Sequence, residues 1–262
     1  MEYLLKGKTA LVCGSTQGIG LAIAREFANL GANCILLARN ESMLKEVVEF
    51  QLSATDEQAH EYRVADFDYP EQVKTVIEEL CRDKKVHILV NNTGGPPAGP
   101  IIDATEKDFL LAFNRHLICN HILTRSLVPC MKTLGYGRII NIISTSVKIP
   151  IKNLGVSNTI RGAVAAWAKT LSIELGEFNI TVNNILPGFT ETNRIESLIE
   201  NNARSRGMST EAIRAEMLES IPMNRFASPM ETAAVAAFLA SPAASYVTGV
   251  SIPVDGGRTG SI

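Results

Sequence analysis

Gly14, Gly18 and Gly20 in CGSTQGIG (13–20) are spaced for one task. Gly14 permits a tight turn, Gly18 lets backbone approach a phosphate, and Gly20 allows a helix to pack closely behind. The run follows the apolar stretch KTALVC (8–13) and opens a helical pattern over 18–31. A pyrophosphate would then meet the positive end of that helix. The spacing is GxxxGxG rather than GxGxxG, and a purely structural turn is the competing reading. The next apolar run ends LLARN, with Arg39 where a carboxylate would take a ribose 2′-hydroxyl. An arginine there suits a 2′-phosphate and hence NADP(H) over NAD(H); otherwise it is a solvated loop residue. Asp66, after a third run, is placed to accept from adenine. Farther on, Ser157 and Arg161 are four apart and share one face of a helix.

The elements that carry these residues alternate regularly. Strands are expected at 8–13, 32–38, 62–67, 86–92, 137–144, 180–186 and 250–255. Helical patterns fall at 18–31, 41–52, 70–83, 105–132, around 155–176, 192–219 and 230–240. Pro70 suits a first helical position, Gly31 a helix end, and Thr105 with Asp108 a reciprocal cap. Buried strands alternating with helices predict an α/β, Rossmann-like doubly wound parallel sheet of about seven strands. No repeat, charge run or linker divides the chain, so 1–262 reads as a single domain. A polar helical excursion at about 190–225 would lie over the carboxyl edge of the sheet, as a lid. Its Arg194, Arg204 and Arg206 are open to two readings: partners for an anionic substrate, or solvated side chains.

Bulk properties narrow the classes. Net charge is −2, which offers no basic surplus for nucleic acid or an anionic membrane. No apolar run approaches the roughly 18–20 residues of a membrane span. Cys13, Cys34, Cys81, Cys119 and Cys130 have no tight pairing or metal spacing, and no metal site is expected. Thiols in apolar runs suit a reducing cytoplasm.

Five segments occur in order: CGSTQGIG, NNTGG (91–95), NIIS (141–144), NNILPG (183–188) and YVTGVSIPVDGG (246–257). With them the chain resembles the short-chain dehydrogenase/reductases, most closely their 3-oxoacyl-carrier-protein-reductase-like branch, from about residue 5 to 257. The resemblance implies NADP(H) bound along Gly14, Ser15, Gln17, Ile19, Arg39, Asp66, Asn92, Gly94, Pro187, Gly188 and Thr190. It implies a small carbonyl or alcohol substrate, and a homodimer or homotetramer built on helices around 105–132 and 155–176. Asn91 and Asn92 also read as ties between strands.

The catalytic positions depart from the family. Ser144 matches its serine, but Ser157 stands at the tyrosine position, Arg161 at the lysine position and His116 at the asparagine position, with Asn114 two residues away. An alkyl hydroxyl is a far weaker acid than a phenol, and arginine is no proton relay. Arg161 can still bind ribose and favour an oxyanion. His116 is a proton donor if it points into the cleft, and a partly buried helix residue if it does not. Lys148 and Lys152 are loop alternatives. No tyrosine lies six residues before Lys169, so the enoyl-reductase spacing is absent. The resulting expectation is NADP(H)-dependent hydride transfer at a carbonyl or alcohol, with a non-standard proton donor such as water held by Ser144, Ser157 and His116. The alternative is an inactive NADP(H)-binding sensor or partner subunit. A serine hydrolase lacks both GxSxG and an acidic orienter.

Overall fold

Among the described residues, seven parallel strands form one sheet in the order β3-β2-β1-β4-β5-β6-β7. They are β1 (Thr9–Cys13), β2 (Asn33–Ala38), β3 (Glu61–Val64), β4 (Ile88–Asn91), β5 (Gly137–Ile142), β6 (Ile180–Pro187) and β7 (Ser251–Val254). The computed structural model describes residues 4–52, 55 and 57–261. The helices are α1 (Gly18–Asn29), α2 (Glu41–Phe50), α3 (Pro70–Asp83), α4 (Glu106–Phe113), α5 (Cys119–Leu134), α6 (Gly155–Leu175), α7 (Asn193–Arg206), α8 (Thr210–Glu219) and α9 (Pro229–Ala240).

The strands alternate their side chains between two buried layers. Ala10, Val12 and Leu36 face Ile23 and Phe27 of α1 and Ala233, Ala236 and Leu239 of α9. Leu11, Cys13, Leu89, Ile139 and Val182 face Val73 and Ile77 of α3 and Leu123 and Leu127 of α5. Burial on both sides explains why these strands read as continuous apolar runs. The outer strands β3 and β7 are the exceptions, half-buried to exposed along their length. The cysteines are free, and burial raises the Cys34 thiol to about 12.

Local signals set the helix ends. Thr105 and Asp108 cap α4 reciprocally, as expected from their spacing. Ser228 and Glu231 do the same for α9, with Pro229 at the first position. The run expected over 105–132 is helical but uneven: a π turn at Asn114–Ile118 joins α4 to α5. Such a wide turn occurs as a single bulge within an α-helix, too short for composition to single out. It brings consecutive residues, Arg115 and His116, into inward contacts. The polar excursion forms α7 and α8, whose Ile195, Ile199 and Ile213 build a small core of their own.

The strand order reverses between β1 and β4, and in such sheets the crevice at that point binds ligands. Three asparagines brace the strands next to it. Asn91 Nδ2 donates to Asn141 Oδ1 at 2.8 Å, and Asn141 Nδ2 to Asn184 Oδ1 at 3.0 Å. Asn184 in turn donates to Ser251 Oγ at 3.0 Å, so the ladder crosses β4, β5, β6 and β7.

Candidate active site

A cleft of about 1060 Å³ opens at the carboxyl ends of the strands. The turn after β1 forms one wall. Gly14 has φ +58°, and a Cβ there would meet Asn92 O at 2.6 Å. Asn92 Nδ2 donates to Cys13 O and Gly14 O, each at 3.2 Å, pinning the turn to the end of β4. Gly20 backs the turn: its Cβ would lie 2.1 Å from Gly14 O. Gln17 precedes α1 without a side-chain cap, which leaves the first amides of the helix free of side-chain acceptors.

Gln17, Gly18, Ile19, Arg39, Asp66 and Asn92 line this half of the cleft. Pro187, Gly188 and Thr190, at the end of β6, line the opposite wall with Gly94. The set fits a dinucleotide with a 2′-phosphate: open helix amides, a backbone without side chains, an acceptor at Asp66 and a cation at Arg39. Gly20 does not reach the cleft but lies behind the turn, where its packing role puts it. Ser15, expected along the cofactor, is instead fully buried with no partner for its hydroxyl among the described residues. The side chain of Ser15 points into the fold because Gly14 turns the chain before it.

The other half of the cleft holds Ser144, Ser157 and Arg161. Ser144 Oγ accepts from Ser146 N–H at 3.1 Å, so its own proton is left to donate. Ser157 sits one helical turn before Arg161 on α6. The Arg161 guanidinium is buried, with 8% exposure. Its Nη1 donates to Ile142 O at 3.0 Å, and its Nη2 lies 3.5 Å from Thr93 O. Burial, and then the charge of Arg194, lower its pKa to about 10, which keeps it cationic at neutral pH.

His116 corrects the expectation of a cleft-facing donor. It is 1% exposed and does not line the cleft. The π turn directs it to the back of the wall, where Nδ1 and Thr93 Oγ1 lie 2.5 Å apart. Nε2 is buried without a partner. A proton on Nδ1 leaves Nε2 a bare acceptor, which is less costly than an orphaned N–H. That tautomer makes Thr93 the acceptor and frees the threonine hydroxyl to donate. Burial, then the charges of Arg161 and Arg115, hold the imidazole pKa well below 6.5. His116 is therefore neutral and acts on the cleft only through Thr93, which does line it.

Lys148 and Lys152 are exposed and off the cleft. Tyr136 donates to Ala240 O at 2.6 Å, before the start of β5 and away from the cleft. Three residues escaped the sequence reading. Thr93 partners His116 across 23 positions, and Arg115 pairs with Asp68 beside the cleft. That bond from Arg115 holds the Asp68 carboxyl below its ordinary range. No local signal marks any of the three, since each partner comes from another element.

A family model described as enoyl-(acyl carrier protein) reductase matches residues 14–259. The chain belongs to the short-chain dehydrogenase/reductase family. It is 31% identical over 256 residues to the NADPH-dependent reductase BacG of Bacillus subtilis, covering 97% of this chain and 99% of that one. The solved structure of YwfH, an NADPH-dependent reductase involved in bacilysin biosynthesis, superposes with a TM-score of 0.91 at 31% identity, covering 97% of this chain and 99% of that one. L-Sorbose reductase from Gluconobacter frateurii, complexed with NADPH and L-sorbose, gives a TM-score of 0.90 at 31% identity over 100% of both chains. The protein is thus an oxidoreductase of this family. Among the described residues, no helix is long and apolar enough to cross a membrane.

Proposed function

We propose that the protein interconverts a small carbonyl compound and its alcohol, with the proton exchanged through water held by Ser144 and Ser157. The cofactor is NADP(H), which supplies or takes the hydride when bound. BacG and YwfH are NADPH-dependent reductases, L-sorbose reductase was solved with NADPH, and Arg39 lines the cleft where a 2′-phosphate would lie. The observation that carries the reading is that Ser144, Ser157 and Arg161 line the same cleft as the glycine turn.

In the reducing direction the substrate oxygen gains a proton as its carbon gains hydride. Ser144 donates a hydrogen bond to that oxygen. The bond it accepts from Ser146 N–H polarises its hydroxyl and strengthens the donation. The buried charge of Arg161 stabilises the developing alkoxide. Ser157 is too short and too weakly acidic to replace a phenol, so it holds a water that passes a proton from solvent to the oxygen. Thr93, oriented by His116, is a positioning residue for that water. In the oxidising direction the same groups receive the alcohol proton.

NADPH oxidation, followed by near-UV absorbance over ketones, aldehydes and 3-oxoacyl thioesters with an NADH control, tests this. Turnover is expected with NADPH, and Ser144→Ala should lower kcat about 10²–10³-fold. NADPH binding without turnover of any compound would replace the proposal with a non-catalytic binding role. An unchanged rate in Ser144→Ala would remove its assigned part.

A further inference from the structure

Two guanidinium groups converge on one small residue of the cleft. A Cβ placed on Gly95 would lie 3.6 Å from Nη2 of Arg194 and 3.8 Å from Nη2 of Arg161. Both arginines line the cleft. Arg161 is buried, and its hydrogen bonds go to the backbone carbonyls of Ile142 and Thr93. Arg194 extends from α7 and donates to Pro96 O at 2.8 Å. Among the described residues neither forms an ion pair with a carboxylate, whereas Arg115, Arg206, Arg214 and Arg225 each do. The nearness is felt: the charge of Arg194 helps lower the pKa of Arg161.

Arg161 is buried while Arg194 is exposed, so water moderates their repulsion, and an anion between them would still favour the buried cation. We propose that Arg161 and Arg194, meeting over Gly95, bind a carboxylate of the substrate, so that the compounds converted here are oxo acids and their hydroxy acids. A single carboxylate accepts from both guanidiniums in short, charge-assisted bonds. A side chain at position 95 would fill the space it needs. The cofactor's own anions have places elsewhere: the pyrophosphate at the start of α1, the 2′-phosphate at Arg39. Arg161 lies one helical turn from Ser157, so a carboxylate at Gly95 sets the carbonyl beside the proposed proton donors. The bond to Arg194 also ties α7 to the sheet when substrate is present. This inference rests on the oxidoreductase reading, which assigns the neighbouring hydroxyls.

The test compares 2-, 3- and 4-oxo acids with their methyl esters as substrates for the NADPH-loaded protein. It is joined by calorimetric binding of 4-oxopentanoate to protein saturated with NADP+, which cannot reduce it. The acids should be preferred, and Arg194→Ala should lower their kcat/KM about 10–100-fold while NADPH affinity is retained. Arg194→Lys should recover part of the loss. Turnover with acids and esters treated alike would overturn the carboxylate site and leave the oxidoreductase reading standing. A loss in Arg194→Ala confined to NADPH affinity would assign the anion to the cofactor and also overturn it. Absent turnover with Arg194-dependent binding of 4-oxopentanoate would support the site while the oxidoreductase reading fell. Neither turnover nor such binding would end both.

Discussion

Thr93 Oγ1 and His116 Nδ1 stand 2.5 Å apart, joining the end of β4 to the π turn between α4 and α5. The contact turns a histidine into a buried neutral brace for a cleft hydroxyl. It has a consequence for stability. The folded imidazole takes a proton only well below 6.5, whereas the unfolded one takes it near that value. The unfolded state thus binds more protons below pH 6.5, and stability falls as pH falls. The cost is about 1.4 kcal/mol per pH unit in that window. Denaturation curves from pH 7.5 to 5 should slope less steeply in His116→Gln than in the parent protein. Equal slopes in the two would show that His116 already carries its proton in the fold.

Arg39 should decide cofactor choice. Arg39→Ala is expected to weaken NADPH binding about 10–100-fold and to leave NADH almost untouched, because only the 2′-phosphate loses a partner. Fluorescence titration with both cofactors measures this. An equal loss for both would place the arginine on another group.

The asparagine ladder should matter for folding rather than chemistry. Asn141 both accepts from Asn91 and donates to Asn184, at 2.8 and 3.0 Å. Asn141→Ala leaves two buried amides short of a partner, at a cost of about 2–4 kcal/mol. Urea denaturation would read it as a lower midpoint with the same slope. A midpoint within error of the parent would mean that water replaces the lost amide.

Gly20→Ala tests the support behind the phosphate turn. The new methyl would sit 2.1 Å from Gly14 O, and backbone must move to admit it. A stability loss of about 1–3 kcal/mol is expected, together with weaker NADPH binding. Native affinity in this variant would mean that α1 shifts without disturbing the turn.

The sheet and the glycine turn were legible from the chain because their causes are local. Apolar runs of strand length must be buried on both faces, and Gly14 with Gly20 meets a demand of a single βα turn. Asp66 and Arg39 reach the cleft for the same local reason, each just past the end of a strand. That Ser157 and Arg161 share one face of a helix was equally plain, since they stand four positions apart. Tertiary structure decided the rest. His116 could face the cleft or the interior until the π turn chose the interior, and one turn is too short to read from the residues in it. Thr93 meets His116, and Arg161 approaches Arg194 over Gly95, only because β4 ends where α6 and α7 begin, with the π turn packed beside them. Pairings between side chains on separate elements depend on packing geometry, which spacing along one element does not contain.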